Sequence, residues 1–207
     1  MGAGVDIADE RAVADFRNTV NAEGFAPDVL VNAAAAKSKN FFAPLADFPL
    51  ADWEQVLRVN ITGIFLTCRA FVPDMIGRGG GTVVNIGSIY GELGPDQRIY
   101  EGSDYPEMGG AINTPLVYSA SKGAVSAITR YLATSYGDRG IRANTLVPGG
   151  VASGQNDVFN SKYSARVPIG RMAERTEIAA ALVFLASDAS AYVNGQELLV
   201  DGGLSAW

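Results

Sequence analysis

Apolar positions along this chain recur at two different spacings, and the spacing divides it into elements. After Asp9, which supplies a side-chain acceptor where a helix can start, Val13, Phe16 and Val20 recur at helical intervals and predict a helix through about Asn21. The run Asp28-Val-Leu-Val-Asn-Ala-Ala-Ala35 is short and rich in β-branched residues, so it reads as a strand and its mouth. Helical spacing returns around 50–77 and again over about 115–137 and 174–187, with strands predicted at 82–87, 141–147 and 196–200. Such alternation predicts an α/β fold, a mostly parallel sheet with helices on both faces and right-handed crossovers. Residues 91–116 show no clear period and are read as an insertion within a single domain spanning 1–207.

Composition narrows the classes of function. With 207 residues, 48% hydrophobic and 18% charged, the chain can bury one sizeable core. A formal charge of −6 and a pI near 4.7 argue against nucleic acid and anionic membranes as partners and favour a small molecule. Histidine is absent, which removes Ser-His-Asp and Cys-His triads and His-based zinc sites, and leaves proton transfer to Tyr, Lys or a carboxylate. The single Cys68 lies in an apolar helical stretch and reads as a packed thiol. No apolar run is read as long enough to span a membrane and no signal peptide is visible, so the cytoplasm is expected. The cluster Gly77-Arg-Gly-Gly-Gly81 lies between a helix and the following strand, the reverse of a dinucleotide turn, and reads as a connecting loop.

The candidate chemistry begins with Tyr118 and Lys122, four residues apart and therefore on one helix face. An ammonium beside a phenol is expected to favour the phenolate and bring proton exchange toward neutral pH. The same spacing also arises by chance, so its context matters. Ser88 falls at the C-terminal end of the strand beginning at Thr82, where parallel sheets carry their chemistry, although a strand-end serine can be merely structural. Asn60 interrupts the long helical pattern; capping a helix joint is its alternative reading.

Asn60, Ser88, Tyr118 and Lys122 in this order, then Asn144-Thr-Leu-Val-Pro-Gly-Gly-Val151 and Asn194-Gly-Gln-Glu-Leu-Leu-Val-Asp-Gly-Gly203, resemble the short-chain dehydrogenase/reductases over nearly the whole chain. The resemblance implies a Rossmann-like fold, NAD or NADP as cofactor, and interconversion of a secondary alcohol and a ketone. Within it, Tyr118 is the general acid/base, Lys122 lowers the Tyr118 pKa and binds the nicotinamide ribose, Ser88 holds the substrate oxygen, and Asn60 holds a water for a proton relay. It also places Asp6 and Ile7 at the adenine, and Pro148, Gly149 and Val151 at the carboxamide, with Ser153 where members often have Thr. Asn32 to Ala35 matches the family's Asn-Asn-Ala-Gly turn imperfectly, leaving Asn32 for a structural hydrogen bond and Ala34 for a weak contact. Members assemble through their long helices, so Phe65, Cys68, Phe71, Val125, Ile128 and Leu132 are expected to build a homodimer or homotetramer.

The family opens with a strand and a Thr-Gly-x-x-x-Gly-x-Gly turn, which have no counterpart here; Met1 to Asp9 resembles the end of its third strand. The expected fold therefore lacks the first βαβ unit, and the strand around Val29 to Asn32 becomes an edge. A misplaced start in a longer protein, or assembly over that edge, would account for this. With the pyrophosphate cradle absent, weak dinucleotide binding and little turnover are expected of the 207 residues, and recovery on upstream extension. The alternative function is a catalytically silent homologue acting as an oligomer partner. An epimerase or dehydratase of the extended branch is disfavoured, because nothing after Gly203 would build a substrate domain.

Thirty positions separate Ser88 from Tyr118, more than in ordinary members. The excess carries Glu92, Asp96, Arg98, Tyr100, Glu101, Asp104, Tyr105 and Glu107, a lining suited to a polyhydroxylated or amino-bearing substrate. It is similar to the insertion of members associated with bacterial surface-sugar biosynthesis; a solvated loop covering nothing is the alternative.

Overall fold

The computed structural model describes residues 2–105 and 110–207. Helix α1 (Glu10–Ala22) starts as expected at Asp9, whose carboxylate accepts from the backbone N–H groups of Arg11 (2.8 Å) and Ala12 (2.9 Å). Its inner face buries Val13 and Val20, and Phe16 meets Phe71 edge-on at 6.2 Å. Then come β1 (Val29–Asn32), α2 (Leu50–Leu57), α3 (Gly63–Gly77), β2 (Gly81–Ile86), a one-turn α4 (Ile89–Glu92) and a hairpin of β3 (Asp104–Tyr105) and β4 (Gly110–Ala111). Helix α5 (Leu116–Tyr136), β5 (Ile141–Pro148), α6 (Asp157–Ser164), α7 (Arg175–Ala186) and β6 (Glu197–Val200) complete the chain.

The main sheet runs β1-β2-β5-β6 with every pairing parallel. Side chains alternate across it as a pleated strand requires. Val83, Ile141 and Ala143 face α3 and α5, whose Ile64, Cys68, Val72, Met75, Val125 and Leu132 complete that half of the core. Val84 and Leu146 face α7 through Leu185 and Leu182. This is the Rossmann-like architecture expected. Strand β1 is an edge of this sheet, with Val29 and Val31 exposed.

Polar residues also cross this core in one continuous chain. Thr67 Oγ1 donates to Asn32 Oδ1 (2.7 Å), Asn32 Nδ2 to Asn85 Oδ1 (2.8 Å), Asn85 Nδ2 to Thr129 Oγ1 (2.9 Å), and Thr145 Oγ1 to Thr129 Oγ1 (2.8 Å). All five side chains are buried, so each partner removes a desolvation cost and the chain fixes α3, three strands and α5 in register.

Three expectations need correction. The continuous helical run Leu50–Gly77, read as too short of apolar residues to span a membrane, is long and apolar enough by length and composition; half of its most apolar window is buried inside this fold. Of the six residues expected to face a partner subunit, Cys68, Phe71, Val125 and Leu132 are buried in the chain's own core and Ile128 packs against it, leaving Phe65 presented outward. Amphipathic spacing marks a buried face without saying which neighbour buries it. Finally, the stretch 91–116, read as an insertion loop without clear period, carries regular elements among its described residues: the end of α4, a 3₁₀ turn at Gln97–Tyr100 and the antiparallel pair β3 and β4. Glu107 lies outside the described residues.

Candidate active site

At the carboxyl edge of the sheet, β2 ends and Ser88 caps α4, its Oγ accepting from the Tyr90 N–H at 3.2 Å. Gly91 then lets α4 lie directly on α5, since a Cβ there would stand 2.7 Å from the Lys122 carbonyl carbon. This close approach brings the Ser88 hydroxyl near enough to the Tyr118 phenol to act on its pKa, and both line one cavity. Lys122, one turn along α5, is buried; its Nζ donates to the Ile86 carbonyl at 2.8 Å and lies 5.8 Å from the centroid of the Tyr118 ring. Phe41 packs on the Tyr118 ring edge-on at 6.3 Å. Ser88, Tyr118 and Lys122 are thus brought together.

Asn60 stands behind them. The helical run widens into a π turn at Arg58–Thr62, a local break of the kind found at functional sites, and Asn60 is buried within it. Its Nδ2 donates to Ser121 Oγ (3.0 Å) and its Oδ1 accepts from the Ala36 N–H (2.9 Å); Ser121 Oγ in turn donates to the Tyr118 carbonyl (2.8 Å). Asn60 therefore ties the loop after β1 to the helix that carries Tyr118.

The electrostatics depart from expectation. Burial pushes the Tyr118 phenol above its ordinary value, the Ser88 hydrogen bond offsets part of that, and the nearby Tyr100 adds to the rise. Burial pushes the Lys122 ammonium down to about 8. Helical spacing places the two groups together, but the loss of water around both outweighs their expected mutual stabilisation. Cys68 is a packed thiol as expected, pushed up to about 12 by burial.

A cavity of about 770 Å³ opens over Ser88 and Tyr118. Of the residues assigned to a cofactor, Gly149 and Ser153 line it together with Tyr118; Ala35 and Ala36 line its other end. Val151 makes a single parallel bridge to Ala173, in which the Ala173 N–H donates to the Gly150 carbonyl and the Ala152 N–H to the Ala173 carbonyl. That pattern turns the Val151 N–H away from the bridge. Pro148 ends β5 beside this turn. Asn32 is close by in the chain but its amide is spent within the buried polar chain, the structural use anticipated for it. Ala34 is exposed. Asp6 and Ile7 lie outside the cavity lining: Asp6 Oδ1 accepts from the Ala8 N–H (2.9 Å), and Ile7 packs on Gly63, where a Cβ would come within 2.6 Å of its Cδ1.

The far wall comes from segments that the spacing argument left unassigned. Tyr90, Tyr100, Asp104, Thr114, Phe159 and Tyr163 line it. Tyr100 stacks on Phe159 at 5.4 Å, Lys162 Nζ donates to the carbonyls of Arg98 (3.1 Å) and Glu101 (2.7 Å), and Arg166 pairs with Asp96 at 2.9 Å. The insertion is thereby docked on α6. Asn156, which caps α6 by accepting from the Phe159 N–H, and the i, i+4 pair Phe159 and Tyr163 are the marks this helix leaves in the sequence, a stripe too short to set its period apart. Of the insertion's polar residues, Tyr100 and Asp104 reach the cavity, whereas Asp96, Arg98 and Glu101 hold the insertion in place.

A Rossmann-like sheet whose carboxyl edge carries a hydroxyl and a phenol on one cavity, with an ammonium buried beside the phenol, defines a class of α/β dehydrogenase-type protein. Comparison with known proteins agrees: the family profile described as short chain dehydrogenase matches residues 1–104, and one described as Enoyl-(Acyl carrier protein) reductase matches 104–205. The chain belongs to the short-chain dehydrogenase family. It is 35% identical over 207 residues to a D-threitol dehydrogenase of Mycolicibacterium smegmatis, covering 98% of this chain and 72% of that one. A short chain dehydrogenase of Leptospira borgpetersenii with bound NAD+ superposes with a TM-score of 0.87 at 32% identity, over 97% of this chain and 74% of the other. A gluconate 5-dehydrogenase of Burkholderia cenocepacia in complex with NADP and tartrate gives 0.83 at 34% identity, over 98% and 74%.

Proposed function

We propose that the protein is an NAD(P)-dependent oxidoreductase interconverting a secondary alcohol and a ketone on a polyhydroxylated, sugar-derived substrate. The observation that carries this reading is the meeting of Ser88 and Tyr118 in one cavity whose far wall is rich in hydroxyl groups, with the Lys122 ammonium buried behind the Tyr118 ring. The D-threitol, gluconate and tartrate named for its relatives point the same way.

Tyr118 is the general acid/base. Because burial holds its proton, it stands ready to protonate a ketone oxygen at neutral pH; in the reverse direction it must first release that proton, and the phenolate then receives the proton of the alcohol. Ser88 orients that oxygen by a second hydrogen bond. Lys122, with a pKa near neutrality, can pass the proton onward, and Asn60 positions the Tyr118 helix through Ser121.

The residues at the mouth fit the reacting end of a nicotinamide dinucleotide. The Val151 N–H, unspent by its bridge, suits the carboxamide oxygen, with Pro148, Gly149 and Ser153 shaping that turn. Lys122 suits the ribose hydroxyls, and the short side chains of Ala34 and its neighbours let a ribose approach the backbone. Asp6 and Ile7 are assigned to the adenine end and Asn32 to support of the mouth. A bound nicotinamide supplies the hydride donor or acceptor. Association as a homodimer or homotetramer is part of the reading; exposed Val183 and Phe184 on α7 and Leu199 on β6 offer apolar contact, and light scattering measures the mass.

Titration of NADH and NADPH by nucleotide fluorescence tests the cofactor assignment. Saturable enhancement that Val151→Pro weakens is expected, since proline removes that N–H. Absence of any saturable binding up to millimolar nucleotide would contradict it.

A further inference from the structure

We propose that Tyr90 is a specificity-determining hydrogen-bond donor that reads a hydroxyl next to the reacting carbon, so that the site selects vicinal polyols over isolated secondary alcohols. This inference rests on the secondary-alcohol chemistry proposed above. Tyr90 follows Ser88 by two residues, lines the same cavity as Tyr118, and is fixed to the Ser88 hydroxyl through its own backbone N–H at 3.2 Å. It is therefore anchored to the group that holds the reacting oxygen.

The direction of its hydrogen bonding gives it a donor to spare. Tyr100 Oη donates to Tyr90 Oη at 3.4 Å, and Tyr100 Oη and Thr114 Oγ1 share a 2.6 Å bond in which either could donate. A phenol carries one proton. If Tyr100 gives its proton to Tyr90, Thr114 must donate to Tyr100, and the Tyr90 O–H is left with no acceptor in this relay. The 3.4 Å contact is long for an O–H···O bond, so a substrate oxygen competes against little. Burial pushes the Tyr90 phenol far above its ordinary range, which keeps the proton in place at any working pH.

The relay also gives the insertion a use. Tyr100 and Thr114 both come from it, and Tyr100 is held by its stack on Phe159 and by the contacts of α6. A substrate with a hydroxyl beside the reacting carbon satisfies the Tyr90 donor. One without it leaves a desolvated donor unpaired, the situation in which a site discriminates best.

The test compares vicinal cyclohexanediol with cyclohexanol, which share a ring and differ by the neighbouring hydroxyl, using NAD+ and NADP+ at millimolar concentration. The protein is expected to prefer the diol by about tenfold in kcat/KM. In Tyr90→Phe the diol falls to the level of cyclohexanol while cyclohexanol changes by less than about twofold, and Tyr100→Phe gives a smaller fall of the same kind. An unchanged diol preference in Tyr90→Phe would overturn the proposal. Ring-labelled tyrosine NMR provides a readout that needs no turnover: the diol should shift the Tyr90 resonance, assigned by its loss in Tyr90→Phe, and cyclohexanol should not. Equal response to both, or none to the diol, also overturns it. Lack of turnover with both alcohols in the parent protein counts against the secondary-alcohol reading, and the NMR result then decides the role of Tyr90 by itself.

Discussion

Burial moves the two titrating groups of the site in opposite directions, Tyr118 up and Lys122 down to about 8 from 10.5. For Lys122 the sign of the linkage is fixed: between those values the unfolded chain holds a proton that the folded chain has released, so stability rises with pH through that window. Lys122→Met removes this dependence. Urea melts of both proteins should show the parent gaining about 2 kcal/mol relative to the variant between about pH 7 and pH 9.5. A difference that stays flat would mean that the ammonium is not desolvated as described. At this scale the proximity of Tyr118 and Lys122 was legible, because residues four apart must share a helix face. Their electrostatic balance was not, because it depends on how completely Phe41 and the sheet mouth exclude water, and residue spacing carries no information about that.

Among the α-helices, α4 is the shortest and the most consequential. Its four residues bring Ser88 and Tyr90 against α5, and the glycines Gly91 and Gly123 make the approach possible. Gly91→Ala places a methyl group 2.7 Å from the Lys122 carbonyl carbon. Overpacking of this kind should cost about 1–3 kcal/mol by chemical denaturation. It should also lower kcat more than it raises KM, since the displacement moves Ser88 away from Tyr118. A variant with parent-like stability and turnover would show that the two helices have slack. The long helices and the β2 and β5 strands were readable from apolar spacing within a residue or two, helped by the Asp9 cap and the buried runs. Helix α6 was not, because its Phe159 and Tyr163 stripe spans only two turns and its purpose emerges only when Tyr100 stacks on it. The assembly face was misplaced for a related reason: Cys68 on α3 and Val125 and Leu132 on α5 lie on regular apolar faces, but the sheet of the same chain covers them, and Phe71 is covered by Phe16 of α1.

Taken as a whole, the molecule sets a rigid sheet mouth against a wall built from the insertion and α6. The buried chain from Thr67 to Thr145 fixes the first, and the Arg166–Asp96 pair and the Tyr100–Phe159 stack hold the second. The proposed function assigns proton transfer to the mouth and substrate selection to the wall. The most direct test of that division is the turnover of D-threitol by Tyr118→Phe with NAD+ or NADP+ at millimolar concentration, measured beside dinucleotide binding. Loss of the general acid/base should lower kcat by about a thousandfold while NADH or NADPH binding stays within about twofold of the parent. Threitol oxidation by Tyr118→Phe at a rate close to that of the parent would contradict the assignment of Tyr118 as the proton-transferring group.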